Sequence, residues 1–295
     1  MYLVTLKDQL GNQMFAYAAI KCLAVENNID FGVIQRGSYY QNSNDIKYGN
    51  SITSIFPEIE KEIAASAEGY NIFKELPLKK RKGKYWEHIH QAADKTLFDG
   101  HFISSKYFSR PYSEIRNWFS LPSEVIDKAI ITIQKLKEKN NIKTCCSVHF
   151  RVGDDYKKLG YLLNKNYWIN AAEMIKKMYS DKCLFVVFYD KKTKEVENFI
   201  KRFNAEEIHG SLVDDMSCII ECDYHIVCNS TFSIMTAFLS KNDKCIIRPE
   251  KYYSGVYTFP DDVFPEEWLS CKCNRNKLSY LSGIAYKLYA TFKCK

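Results

Sequence analysis

Apolar positions along this chain follow two regimes, and the change comes near residue 144. Before it, "MYLVTL" reads as a first strand, a Gly-Asn turn follows, and apolar spacing predicts a helix from about Gln13 to Glu26. "FGVIQ" then reads as the next strand, which gives a β-α-β opening. Residues 37–100 lose the period, because Tyr, Asn, Ser and Lys interrupt the apolar runs, and no element is assigned there. "LFDGHFISSKYF" restores a strand and turn, a helical pattern covers 123–139, and "KEKNNIK" reads as a linker.

After residue 144 short apolar runs alternate with amphipathic ones. The strands "CCSVHFR", "CLFVVFYD", "EEIHG", "YHIVC" and "KCIIR" are separated in turn by the helices "NYWINAAEMIKKMYS", "TKEVENFIKRF", "DMSCIIEC" and "TFSIMTAFLS". Repeated β-α units imply a parallel sheet covered by helices on both faces, so the class is α/β and this half is Rossmann-like. The expected division is an N-terminal domain over 1–140, a C-terminal domain over 141–270 and a helical tail over 271–295. Ligands of such sheets gather beyond the carboxyl ends of the strands, where His149, Arg151, Asp190 and Asn229 fall. Strand alternation turns Ser147, His149 and Arg151 to one side, so an imidazole and a guanidinium are presented together.

Composition adds three points. The net charge of +7, with a basic run at 78–84 and the tail "YKLYATFKCK", favours anionic ligands or an anionic membrane surface. The basic residues are dispersed and form no recognised nucleic-acid module, so nucleic acid is not expected as a partner. Eleven Cys lie in apolar segments without a C-x-x-C, which reads as small buried hydrophobes in a reducing compartment. No signal-peptide pattern opens the chain, and no apolar run approaches the roughly 18 residues needed to cross a bilayer. The expectation is a cytoplasmic protein, with peripheral contact at the inner face of a membrane left open.

Candidate chemistry sits at strand-to-helix junctions. In "CNSTFS", 228–233, hydroxyls and the first N–H groups of a helix make a phosphate site, while plain capping by Ser230 or Thr231 is the competing reading. Asn229-Ser230-Thr231 also fits a glycosylation sequon. Asp214 and Asp215 precede another helix; either caps it, or a carboxylate accepts from the N1–H and amino group of a guanine. Gly11-Asn12-Gln13 stands at the first β-α turn, where backbone can approach a ligand. There is no G-x-G-x-x-G, no G-x-x-x-x-G-K-[ST] and no D-x-D. A nucleotide diphosphate would therefore be met by Arg, hydroxyls and helix dipoles rather than by a metal. His88 with His90, and Cys271 with Cys273, are weak metal candidates without partners.

These residues resemble a family. "LGNQMFAYAAIKCLA" (10–24) is similar to the "LGNQMFQYA" opening of bacterial α-1,2-fucosyltransferases, glycosyltransferase family 11, and "VHFRVGDDY" resembles their H-x-R-R-x-D motif. "SLVDDMSCIIECDYHIVCNSTFSIMTAFL" resembles their third block, and "FDGHFISSKYF" and "CIIRPEKYY" two further segments, all in family order. The resemblance implies a GT-B-like fold, two Rossmann-like domains facing a cleft, with an acceptor-side N-terminal domain and a GDP-fucose-binding C-terminal one. It implies that Arg151 binds the β-phosphate of the departing GDP, that His149 contacts the nucleotide and that Asp215 reads guanine. Ser230, Thr231, Phe232 and Ser233 match the diphosphate and base-packing loop. Asn12, flanked by Gly11 and Gln13, matches the turn facing fucose and acceptor. Asp8 and Asp154 are the two candidate bases, and a late proton loss without a strong base is an equal alternative.

The implied reaction is inverting, metal-independent and cofactor-free transfer of L-fucose from GDP-fucose to O-2 of galactose in a glycan acceptor, free or lipid-linked. Three departures stand against it. The family's second Arg is Val152, its glycine pair before "LGNQ" is Asp8-Gln9, and its Trp pair after the hydroxyl loop is Ile234-Met235. The alternatives are a transferase for another GDP-sugar or acceptor, and a nucleotide- or glycan-binding relative that has lost turnover.

Overall fold

Strand β1 (Tyr2–Leu6) is buried along its whole length and continues into helix α1 (Leu10–Glu26), which is apolar on nearly every side. A helix without a polar face must be enclosed, and α1 is. The computed structural model describes residues 1–35, 52–76, 80, 85–179, 182–241, 245–254, 257–259 and 261–293. Most of the basic run at 78–84 lies outside them. They form two compact units, one of Met1–Pro122 with Asp262–Pro265, the other of Ser123–Asp261 with Glu266–Lys295.

Unit 1 carries a four-stranded parallel sheet, in which β1 lies between β2 (Phe31–Gln35) and β4 (Thr96–Asp99), with β3 (Asn71–Lys74) at the edge. Among its described residues are also the helices α2 (Ile52–Ile55) and α3 (Tyr112–Trp118). The first helix begins at Leu10 rather than near Gln13. Asp8, at φ 61°, turns the chain out of β1, so Gly11-Asn12-Gln13 form the first helical turn instead of a loop.

Unit 2 carries a six-stranded parallel sheet in the order β12-β9-β8-β5-β6-β7. Its central strands are β5 (Thr144–Phe150), β6 (Cys183–Tyr189), β8 (Tyr224–Ile226) and β9 (Cys245–Pro249); β7 (Glu206–Glu207) and β12 (Leu269–Cys271) are the edges. A hairpin, β10 (Tyr252–Ser254) with β11 (Tyr257–Phe259), stands apart from the sheet. One face is covered by α6 (Asn166–Tyr179) and α7 (Lys194–Phe203), whose Trp168, Ala172 and Phe199 join Val148 and Phe150. The other is covered by α4 (Ser123–Lys139) and α8 (Leu212–Ile220), whose Ile133 and Ile219 meet Cys145, Val186 and Phe188. Helix α4 thus buries its apolar stripe on the second sheet. That moves the division between units from the expected position after 140 to Pro122/Ser123.

The remaining α-helices among the described residues of unit 2 are α5 (Asp154–Leu159), α9 (Thr231–Leu239) and α10 (Lys277–Lys293). The segment from 271 onward is not a separate tail. Cys271 and Cys273 lie in the core, and the Ser279 hydroxyl donates to the Lys157 carbonyl at 3.0 Å. Gly283 approaches α5 so closely that a Cβ there would lie 2.8 Å from the Leu159 carbonyl oxygen. The ten described cysteines are buried and free, and no described helix is long and apolar enough to cross a membrane.

Candidate functional site

The carboxyl ends of β5, β6 and β8 gather most of the residues singled out in unit 2. Alternation along β5 packs Phe150 into the core, its ring stacked on Trp168 at 4.5 Å, and leaves His149 and Arg151 to the opposite side. Arg151 lies just past the strand, 20% exposed, and its guanidinium is bound on three sides. Nη1 donates to Asp190 Oδ2 at 2.7 Å, Nη2 to Asp155 Oδ2 at 2.6 Å, and the Tyr156 ring lies 4.8 Å away. Burial works against the charge, but Asp190, Tyr156 and Asp155 outweigh it and hold the guanidinium above its ordinary value.

Asp190, the first residue after β6, fixes the turn that carries this arginine. Its carboxylate accepts from the Val152 N–H at 2.7 Å and the Gly153 N–H at 3.0 Å, as well as from Arg151. A Cβ at 153 would lie 2.5 Å from Asp190 Oδ2, so only glycine lets the turn close on the carboxylate. Val152, where the resembling family has its second arginine, packs against the core of unit 2.

His149 is 8% exposed, and burial together with the Arg151 charge pushes it down to about 3, so the ring is neutral. Its Nδ1 lies 3.4 Å from the Cys228 thiol, which burial pushes up to about 12 and so keeps protonated. The Phe232 ring leans on the imidazole with centroids 5.6 Å apart.

Phe232 belongs to the first turn of α9, whose N-cap is Ser230. Ser230 does not cap the helix with its side chain; its hydroxyl bonds the Tyr156 phenol. The Ser233 hydroxyl accepts from the Cys228 N–H at 3.1 Å. Thr231 is buried at the same turn. The first-turn N–H groups have no acceptor within the helix, the arrangement that binds anions elsewhere. Asn229 is used structurally: its amide donates to the carbonyls of Tyr161 and Tyr253 at 2.8 and 2.9 Å, and it is buried, so the sequon is inaccessible.

At α8 the two aspartates separate. Ser211 and Asp214 form a reciprocal capping box, so capping falls to Asp214. Asp215 accepts from the Gly210 N–H at 2.9 Å, and burial raises its carboxyl to about 6. Beside it the His209 ring stacks on Tyr189 at 4.9 Å, nearly parallel.

Asp154 stands apart from this group. Its side chain is 81% exposed and paired with Lys191 at 2.5 Å, which holds it below the ordinary carboxylate range. Its neighbour Asp155, not singled out from the sequence, is the one on Arg151. In unit 1, Gln13 is buried with both ends of its amide engaged: Nε2 donates to the Asp8 carbonyl at 2.8 Å and Oε1 accepts from the Ile52 N–H at 3.1 Å. It holds the turn after β1. Gly11 is buried and Asn12 half-buried beside it. Among the described residues no group of three or more His, Cys, Asp or Glu could hold a metal ion.

Sequence reasoning missed Asp155, Tyr156 and the structural use of Asp190. The i, i+4 spacing of Arg151 and Asp155 was the available signal for the first; nothing local pointed to the others.

Residues 1–272 match the model for glycosyl transferase family 11. An α-1,2-colitosyltransferase of Escherichia coli is 26% identical over 88% of this chain and 95% of its own length. A galactoside 2-α-L-fucosyltransferase, Sec1, of Mus musculus is 22% identical over 91% of this chain and 73% of its own. The fucosyltransferase NodZ from Bradyrhizobium superposes with a TM-score of 0.48 at 14% identity, covering 81% of this chain and 92% of that one.

Proposed function

The chain belongs to glycosyl transferase family 11, and from that membership we propose that it moves L-fucose from GDP-fucose to a hydroxyl of a galactose-containing glycan, forming an α-1,2 linkage with inversion. The observation that carries the reading is the Arg151 guanidinium, held at the carboxyl end of β5 beside neutral His149 and the Ser230–Ser233 turn. As the glycosidic bond breaks, negative charge grows on the departing diphosphate. Groups that bind this charge more strongly than they bind the intact donor lower the barrier.

Asp190 is the more buried partner of Arg151 and Asp155 the more exposed, 16% against 48%. In the proposed donor complex Asp190 keeps Nη1 in place, and the diphosphate displaces Asp155 from Nη2. The N-terminus of α9 supplies further donors, and the neutral His149 ring packs beside it on Phe232. Asp215 accepts from guanine, its backbone partner at Gly210 fixing the carboxylate. No step requires a metal in this scheme, so transfer should survive EDTA; strict metal dependence would remove it.

The test is transfer to a panel of β-galactosides, with wild type and Arg151→Lys side by side. Lysine keeps the charge but not the two parallel donors of a guanidinium, so turnover should fall at least tenfold. Near-normal turnover in Arg151→Lys would remove the clamp. A second reading, a different GDP-sugar, is favoured by the similarity to a colitosyltransferase. Running the same panel with fucosyl and colitosyl donors decides between them. Donor binding with no transfer from either would mark a chain that has lost turnover.

A further inference from the structure

Helix α10 turns its small residues inward and its leucines outward. At 3.6 residues per turn, Ser279 and Gly283 share the face that meets α5. The opposite face carries Leu278, Leu281, Ala285, Leu288 and Tyr289, all exposed. The three leucines and Tyr289 are 57–72% exposed. Their i, i+3, i+7 and i+10 spacing is that of a stripe made for burial, yet nothing among the described residues covers it. Six of the fifteen exposed large apolar side chains of the described residues fall within this one helix, so they form a patch rather than a scatter.

The stripe is not what holds α10 in place. Ser279 does so: its hydroxyl donates to the Lys157 carbonyl and accepts from the Leu162 N–H at 3.4 Å. Gly283 lets the backbones of α5 and α10 approach closely. The outward leucines are therefore left for another surface.

The charge around the stripe has one sign. After Glu267 the sequence carries Lys272, Arg275, Lys277, Lys287, Lys293 and Lys295 and no acidic residue. Lys277 begins the outward face, and Lys287 stands on one flank. On the other flank Lys158 of α5 lies against the Tyr286 ring, 5.0 Å from its centre. The acids of α5 do not offset this charge, because Asp154 is paired with Lys191 and Asp155 with Arg151.

From this geometry we infer that α10 is a peripheral docking face for an anionic lipid surface. The leucine stripe enters the boundary between headgroups and acyl chains, and the flanking lysines extend to the lipid phosphates. A second copy of the chain is the other occupant such a stripe suits. Two-fold pairing would bring two like-charged helices together with no acid on either, which favours lipid. This docking needs no part of the proposed transfer site.

The test is flotation of the full chain with vesicles of phosphatidylcholine, alone or mixed with an equal amount of phosphatidylglycerol, at low and high salt. Wild type should rise with the anionic vesicles, stay behind with the neutral ones, and be released as salt screens the lysines. Leu281→Ser combined with Leu288→Ser should lower the partition coefficient at least about tenfold. Both leucines are exposed, so this variant should keep the wild-type helix content and melting temperature, which circular dichroism checks. Lys277→Gln should weaken partition roughly fivefold, the worth of one lysine near such a surface, and reports even if the leucine variant is unstable. Equal flotation of wild type and either variant, or equal binding to both kinds of vesicle, would overturn the assignment. So would a wild-type dimer, seen by analytical ultracentrifugation and absent from the leucine variant, which would give the stripe to a second copy.

Discussion

Asp214 and Asp215 are chemically identical neighbours with opposite electrostatics. Asp214, in the capping box, is held below its ordinary range by Lys128 and Ser211, whereas burial lifts Asp215 to about 6. The folded chain therefore holds a proton on Asp215 more tightly than the unfolded chain does. Stability from this group is greatest in the acid range and falls as pH rises through about 6. Asp215→Asn removes that loss and keeps an acceptor for the Gly210 N–H. The variant should melt on the order of 3 °C higher at pH 8 and show no gain near pH 4. Its affinity for GDP should nonetheless drop roughly tenfold to a hundredfold, because an amide cannot accept both guanine donors. Thermal melts at the two pH values, with calorimetric titration of GDP and ADP, test both parts. Equal GDP affinity would return the position to a structural role.

Among the elements, the β5-to-α5 turn shows how little of a site can be local. It is held by Asp190, 37 residues beyond Gly153 in the chain and on a different strand. Gly153→Ala drives a methyl group against that carboxylate, and should cost about 1–3 kcal/mol of stability. It should also lower kcat while leaving the β5 strand intact, which chemical denaturation and transfer assays would show; an unchanged kcat would mean that Arg151 does not depend on this turn. The strands of unit 2 were legible because buried parallel strands read as continuous apolar runs. His149, Arg151 and the hydroxyl turn were legible for the same reason, since they end those runs. Asp190 was visible as a strand end but not as a clamp, because its partners come from the register between β5 and β6. Of the two sequence readings of the aspartate pair, capping falls to Asp214 alone, with Ser211 as its reciprocal partner. Residues 71–74 read as nothing because β3 is an exposed edge of only four residues, without enough alternation to register.

For the whole molecule, the excursion of Asp262–Pro265 into unit 1 is more than a detail of chain tracing. Val263 and Phe264 are fully buried there. The Asp262 carbonyl accepts from Ser104 at 2.7 Å and Ser105 at 3.3 Å, and its carboxylate accepts from the Tyr85 N–H. Met1–Pro122 alone should therefore lack part of its core, and should be cleaved by protease far faster than the same residues in the full chain. Equal protection of the isolated segment would refute this. The four residues also set a clock on biosynthesis. Asp262 is made 140 residues after Pro122, and at about 5–20 residues per second that interval is roughly 7 to 28 s. During it the first unit waits on the ribosome with an open seam while the second sheet is still being synthesised. The N-terminal unit begins first and cannot finish first.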